Sequence, residues 1–108
     1  MELQNFLFLD ENDTTGESNV LNCTGARQLT LSVESEEGAT LELYVQGRVD
    51  FNSEEFFDLG AINLEDYDPV SPIVTAGVYT FILNGVGSVK VVNNGTPGDC
   101  TVFGRLVD

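Results

Sequence analysis

The sequence predicts an all-β fold: an antiparallel two-sheet β-sandwich of jelly-roll type, with about seven or eight short strands and little or no helix. Three observations predict it. Apolar and polar residues alternate with a period of two in several short segments. Clusters of Gly, Asn, Pro and acidic residues separate those segments at regular intervals. No window carries helical periodicity between good caps, and Ser53-Glu54-Glu55 starts at most one short turn.

The elements follow in order. Leu3–Leu9 reads as a first strand and Asn19–Cys23 as a short second one. Segment 27–34 alternates cleanly, with Leu29, Leu31 and Val33 on one face and Thr30, Ser32 and Glu34 on the other. Segment 39–46 repeats the pattern with Leu41, Leu43 and Val45. The intervening Ser35-Glu36-Glu37-Gly38 is a short polar turn, so the two segments are expected to form a hairpin. Segments 77–83 and 88–92 flank Asn84-Gly85-Val86, and a hairpin pairing Phe81 with Val89 and Tyr79 with Val91 gives one coherent apolar face. That register leaves Val78, Ile82 and Val92 together on the opposite side, too apolar for a wetted face. In 47–76, Phe56–Leu59 reads as a strand, and Pro69 and Pro72 hold 68–74 extended. Asn93–Gly98 is a turn before a last strand near Cys100–Leu106.

One domain is expected over residues 1–108, with 1–18 as an N-terminal arm plus acidic loop, because a chain this short encloses one core. The 42% hydrophobic content is too high for a disordered acidic tail. The formal charge is −14, from 18 acids against 4 bases. All of the excess lies before Pro69; beyond it Asp99 and Asp108 balance Lys90 and Arg105. Such a surface repels phosphate backbones and anionic headgroups, so neither nucleic acid nor membrane is an expected partner. Its plainer role is to keep a β domain soluble. No apolar run approaches a membrane span, and the start lacks the basic and apolar regions of a signal peptide.

The chemistry-bearing residues are few. The chain has no histidine, which removes the usual general base and the commonest metal ligand. Cys23 and Cys100 form no metal-ligand motif, and reduced thiols or a disulfide are both open readings. N-x-S/T triplets at Asn12, Asn22 and Asn94 mean little without a secretory route. Asp10-x-Asn12-x-Thr14 resembles the start of a calcium loop, but Thr15 stands where glycine is required and Leu21 where glutamate is. Acid groups at 10–17, 34–37, 54–58 and 65–68 fall in loops; if strands simply alternate direction, the first and third share one end. No phosphate loop is present, and a paired-carboxylate glycosidase would need a cleft and aromatic platforms that a chain without tryptophan lacks. The expectation is therefore a protein that is not an enzyme and takes no cofactor or metal.

Phe56-Phe57 is the more informative feature, because adjacent strand residues point to opposite faces and cannot share one core layer. One of them is a candidate partner anchor together with Tyr67. Phe56, Phe57, Tyr67, Val78, Ile82 and Val92 are thus the candidate protein interface. Tyr44, on the outward face of its strand, is the candidate glycan contact if the domain is instead a carbohydrate- or receptor-binding jelly-roll module.

The order of segments, from Phe6-Leu7-Phe8-Leu9-Asp10 through Leu29–Val33, Thr75-Ala76-Gly77-Val78-Tyr79, Gly87-Ser88-Val89-Lys90-Val91 and Val102-Phe103-Gly104-Arg105, resembles small β-sandwich virion structural proteins of tailed bacteriophages. The resemblance implies a capsid decoration or auxiliary protein, or a tail accessory. It implies a protein acting through contacts with copies of itself, as a dimer or trimer, and with other virion proteins, with no catalytic residues. This chain is far more acidic than that pattern, which suits the outer surface of a particle better than the DNA-facing side.

Overall fold

The computed structural model describes residues 4–10, 16–36, 40–95 and 100–107. Ten strands are assigned among them: β1 Gln4–Leu9, β2 Leu21–Asn22, β3 Gln28–Ser35, β4 Leu43–Arg48, β5 Phe57–Leu59, β6 Ala61–Asn63, β7 Pro69–Val70, β8 Gly77–Ile82, β9 Ser88–Asn93 and β10 Cys100–Val107. No helix occurs among the described residues. The strands form a six-stranded sheet in the order β1-β10-β3-β8-β6-β7 and a four-stranded sheet in the order β2-β9-β4-β5. All named strand pairs are antiparallel.

The pairings nest: β1 with β10, β2 with β9, β3 with β8, and β4 with β5. A chain folded back on itself as one long hairpin and then rolled into two sheets gives this order, which is the jelly-roll arrangement. β6 and β7 form an added hairpin on the edge of the larger sheet, reached from β5 across Gly60.

Rolling overturns both expected hairpins. β3 has β10 and β8 as its neighbours, and β4 lies in the other sheet between β9 and β5. β8 and β9 also belong to different sheets, so Phe81 pairs with Leu29 and Val89 with Leu21 and Gly47 rather than with each other. The turn between them supplies the reason. Val86 N–H donates to the Leu83 carbonyl at 2.7 Å, and Gly85 alone takes a positive φ, +84°. One positive φ at the third turn position is a type II geometry, which splays its flanking strands, whereas a tight two-residue hairpin takes it at the first central residue or at both. The chain therefore crosses to the opposite sheet.

The assignment of buried faces survives this change of partners. Leu29, Leu31, Val33, Tyr79 and Phe81 from the larger sheet meet Leu43, Val45, Val89 and Val91 from the smaller one, all fully buried. Tyr79 is buried to its tip because its hydroxyl donates to the Thr75 carbonyl at 2.8 Å. On β10 the inward position 104 is glycine, and the Phe8 ring occupies the space a Cβ would need. Leu43 and Ile73 exchange two backbone hydrogen bonds of 2.9 Å, which tie the sheets together where β4 begins. Residues 1–18, expected as an arm and acidic loop, include β1, which is hydrogen-bonded along β10 as an edge strand; residues 11–15 lie outside the described residues.

Candidate functional site: two outer faces and an end groove

The outer face of the larger sheet is built in rows. Leu7, Phe103, Ser32 and Val78 stand side by side across β1, β10, β3 and β8, and Asn5, Arg105, Thr30, Thr80 and Ile62 form the next row. Val107, Gln28 and Ile82 make a third. Leu7, Phe103, Val78 and Ile82 are all exposed, Ile82 to 58%. A shallow depression of about 450 Å³ runs between the first two rows. Arg105 Nε donates to Asn5 Oδ1 at 2.8 Å, and Gln28 Nε2 to the Thr80 hydroxyl at 2.7 Å. Among the described outward residues of these four strands, Glu34 is the one carboxylate. In a chain of charge −14 this face is nearly neutral.

The outer face of the smaller sheet is different in kind, because its side chains satisfy one another. Arg48 Nε donates to the fully buried Ser88 hydroxyl at 2.9 Å, and its Nη1 donates to the Ser53 carbonyl at 3.0 Å. The Arg48 guanidinium lies 4.6 Å from the centre of the Phe56 ring and 5.8 Å from that of Phe51. Lys90 Nζ lies 4.5 Å from the Phe56 centre and pairs with Glu17 at 2.5 Å. Both cations thus cover one aromatic ring, a favourable arrangement with the ring quadrupole. Gln46 donates to Asp58 at 2.9 Å and Tyr44 to Glu42 at 2.9 Å. The latter bond pushes the Tyr44 phenol above its ordinary range.

Phe56 and Phe57 point to opposite faces. Phe56 lies half-buried under the two cations, while Phe57 sits opposite Gly47 at the sheet edge, 63% exposed. Phe57 lines a groove of about 320 Å³ at one end of the sandwich, with Gly47, Val49, Leu59 and Val86. Gly87 is required where this end closes, since a Cβ there would come within 2.5 Å of the Val49 carbonyl oxygen.

The expected interface residues do not form one patch. Val78 and Ile82 lie on the larger sheet's outer face, but Val92 lies on the smaller sheet's, opposite Tyr44. Grouping the three followed from the hairpin that the fold replaces. Tyr67 occupies the β6–β7 turn with φ of +62°, at the end of the sandwich away from Phe57, where Leu64 N–H bonds the Val78 carbonyl. Tyr44 is half-buried with its hydroxyl committed to Glu42. Leu7, Phe103 and Arg105 were missed as surface candidates, as were Arg48 and Val49. Outward parity on the last strand was the available signal for Phe103 and Arg105.

The acid groups also distribute otherwise than simple alternation implies. Glu17 bridges to Val92, Glu34 pairs with Thr101, and the 65–68 group sits beside Val78, all toward the end where β4 begins; the 54–58 group lies toward the other. Among the described residues no three His, Cys, Asp or Glu side chains converge as a metal site. The calcium-like run at 10–14 lies mostly outside the described residues. Cys23 and Cys100 are buried thiols at opposite ends of β9, Cys23 beside the Val86 carbonyl and Cys100 beside Asn93. Burial pushes the Cys23 thiol up.

The chain matches no family model, and no curated protein matches it in sequence. Solved structures that share its fold include the SPBc2 prophage-derived protein YomS, with a TM-score of 0.83 and 23% identity over 99% of this chain and 94% of that one. They also include the PBSX exported protein XepA, with a TM-score of 0.86 and 17% identity over 99% of this chain. The match spans 38% of the XepA chain. At these identities the likeness is one of fold.

Proposed function

We propose that this chain is a non-enzymatic structural component of a bacteriophage particle, a capsid decoration or auxiliary protein on the outer surface. It acts by packing its larger sheet against a second copy of itself and by contacts with other virion proteins. The observation that carries this reading is the outer face of β1, β10, β3 and β8, which exposes Leu7, Phe103, Val78 and Ile82 and holds one outward carboxylate among its described residues. Two copies of charge −14 repel each other over roughly one Debye length, about 8–10 Å. They approach most readily through a face that is apolar and nearly neutral, and burial of that face supplies the association energy. Fold similarity to an SPBc2 prophage-derived protein and to a PBSX protein described as exported supports a phage setting for a virion assembled in the host cytoplasm.

Sedimentation of the purified protein, alone and with purified phage capsids and tails, tests the proposal. A dimer or trimer, or co-sedimentation with the particle, is expected. A monomer that also fails to bind particles would remove it.

A further inference from the structure

We propose a second, separate docking site: the end groove beside β5 receives an apolar anchor residue flanked by lysine or arginine on a partner protein. The floor of the groove is Gly47, Leu59 and Val86, and its walls are Val49 and Phe57. A Cβ on Gly47 would lie 2.9 Å from Val86 Cγ1 and 3.0 Å from Leu59 Cδ1, so the missing side chain lets these two close over the floor. Val49 is 74% and Phe57 63% exposed, a concentration of large apolar side chains at the rim of a concavity. At about 320 Å³ the groove is at the small end of ligand pockets, roughly 300–1,000 Å³, which suits a side-chain anchor better than a cofactor.

Charge decides the occupant. Asp50 and Glu55 line the groove, and Glu54 and Asp58 stand in the same 50–58 segment. The cation that lines it, Arg48, is already engaged by Ser88, the Ser53 carbonyl and two phenylalanine rings. Two carboxylates against one guanidinium leave the lining net negative around an apolar centre. A basic segment with one aliphatic or aromatic residue complements both features, whereas a second copy of this acidic chain opposes its own charge there. Arg48 also holds the 49–56 loop against the sheet before any partner arrives, which lowers the ordering cost of docking.

The test is titration of isotope-labelled protein with the hexapeptide Lys-Arg-Leu-Phe-Lys-Arg, followed by amide chemical shifts. Saturable changes confined to residues 47–59 and 83–87 are expected. Affinity should fall about tenfold in Phe57→Ser, as for loss of a central anchor, and several-fold between low salt and about 0.5 M salt. Val49→Ser, at a more exposed position, should weaken it less and guards against misfolding of the first variant. Replacing the central Leu-Phe by Ser-Ser should abolish binding. Absence of shifts up to about 1 mM peptide, shifts on another surface, or binding indifferent to Phe57→Ser would overturn the proposal. So would groove shifts that track protein concentration without peptide, which would mark a second copy as the occupant. Self-association through the larger sheet is read separately, because Phe57→Ser should leave the sedimentation behaviour unchanged.

Discussion

The two outer faces of this sandwich treat their aromatic residues in opposite ways. On the smaller sheet Phe56 is covered by Arg48 and Lys90, whose remaining donors go to Ser88, Ser53 and Glu17. On the larger sheet Phe103 stands between Leu7 and Ser32, 44% exposed, with no cation over it among the described residues, and its neighbours across the strands are apolar or hydroxyl-bearing. One face is closed by the chain's own side chains; the other leaves Leu7, Val78, Ile82 and Phe103 exposed. The difference teaches that exposure alone does not mark an interface, since internal pairing on a surface removes it as a docking candidate.

Substitutions can break or sharpen this contrast. The largest effect is expected from Arg48→Ala, which strips Phe56 of one cation and leaves the buried Ser88 hydroxyl without its donor. Urea unfolding should register a loss of about 2–3 kcal/mol. Arg105→Ala, at an exposed position with one bond to Asn5, should stay within about 0.5 kcal/mol. Equal losses at the two arginines would dissolve the distinction between the faces.

Next come the aromatics themselves. Phe56→Ala should lower stability by about 1–2 kcal/mol with no change in oligomeric state. Phe103→Ala should cost little stability, about 0.5 kcal/mol or less by thermal unfolding, yet weaken self-association about tenfold. Lys90→Gln follows, with a loss of about 0.5–1 kcal/mol that shrinks as salt is raised, since its Glu17 partner is largely exposed.

The smallest effect touches neither face. Burial raises the Cys23 thiol above its ordinary value of 9.0. The folded state therefore holds that proton where the unfolded chain releases it. Stability is undiminished below pH 9.0 and falls as pH rises beyond it. Alkaline melting curves of Cys23→Ala should lack that component.

The sequence carried the buried faces well and the neighbour relations poorly. Alternation in 27–34 and 77–83 marked Leu29, Leu31, Val33, Tyr79 and Phe81 as inward, and all are buried. Alternation has a period but no partner, so an arch between sheets and a hairpin within one sheet look the same. That ambiguity put Val92 beside Val78 and Ile82, although the three occupy opposite outer faces. β6 is three residues long, too short to show a period. The split of Phe56 from Phe57 was legible because adjacency on a strand forces it. The cations over Phe56 were not, because Arg48 and Lys90 reach it from two strands that only the rolled topology makes adjacent. The groove likewise draws on β4, β5 and the turn before β9, and no single segment announces it.

The central claim is that association uses the larger sheet's outer face and leaves the smaller sheet's free of contact. Sedimentation equilibrium on the matched pair Phe103→Gln and Val92→Gln tests it most directly. The account predicts that Phe103→Gln shifts the protein to monomer while Val92→Gln sediments as the parent does. The opposite pattern, or two variants that both keep the parent's oligomeric state, would contradict it.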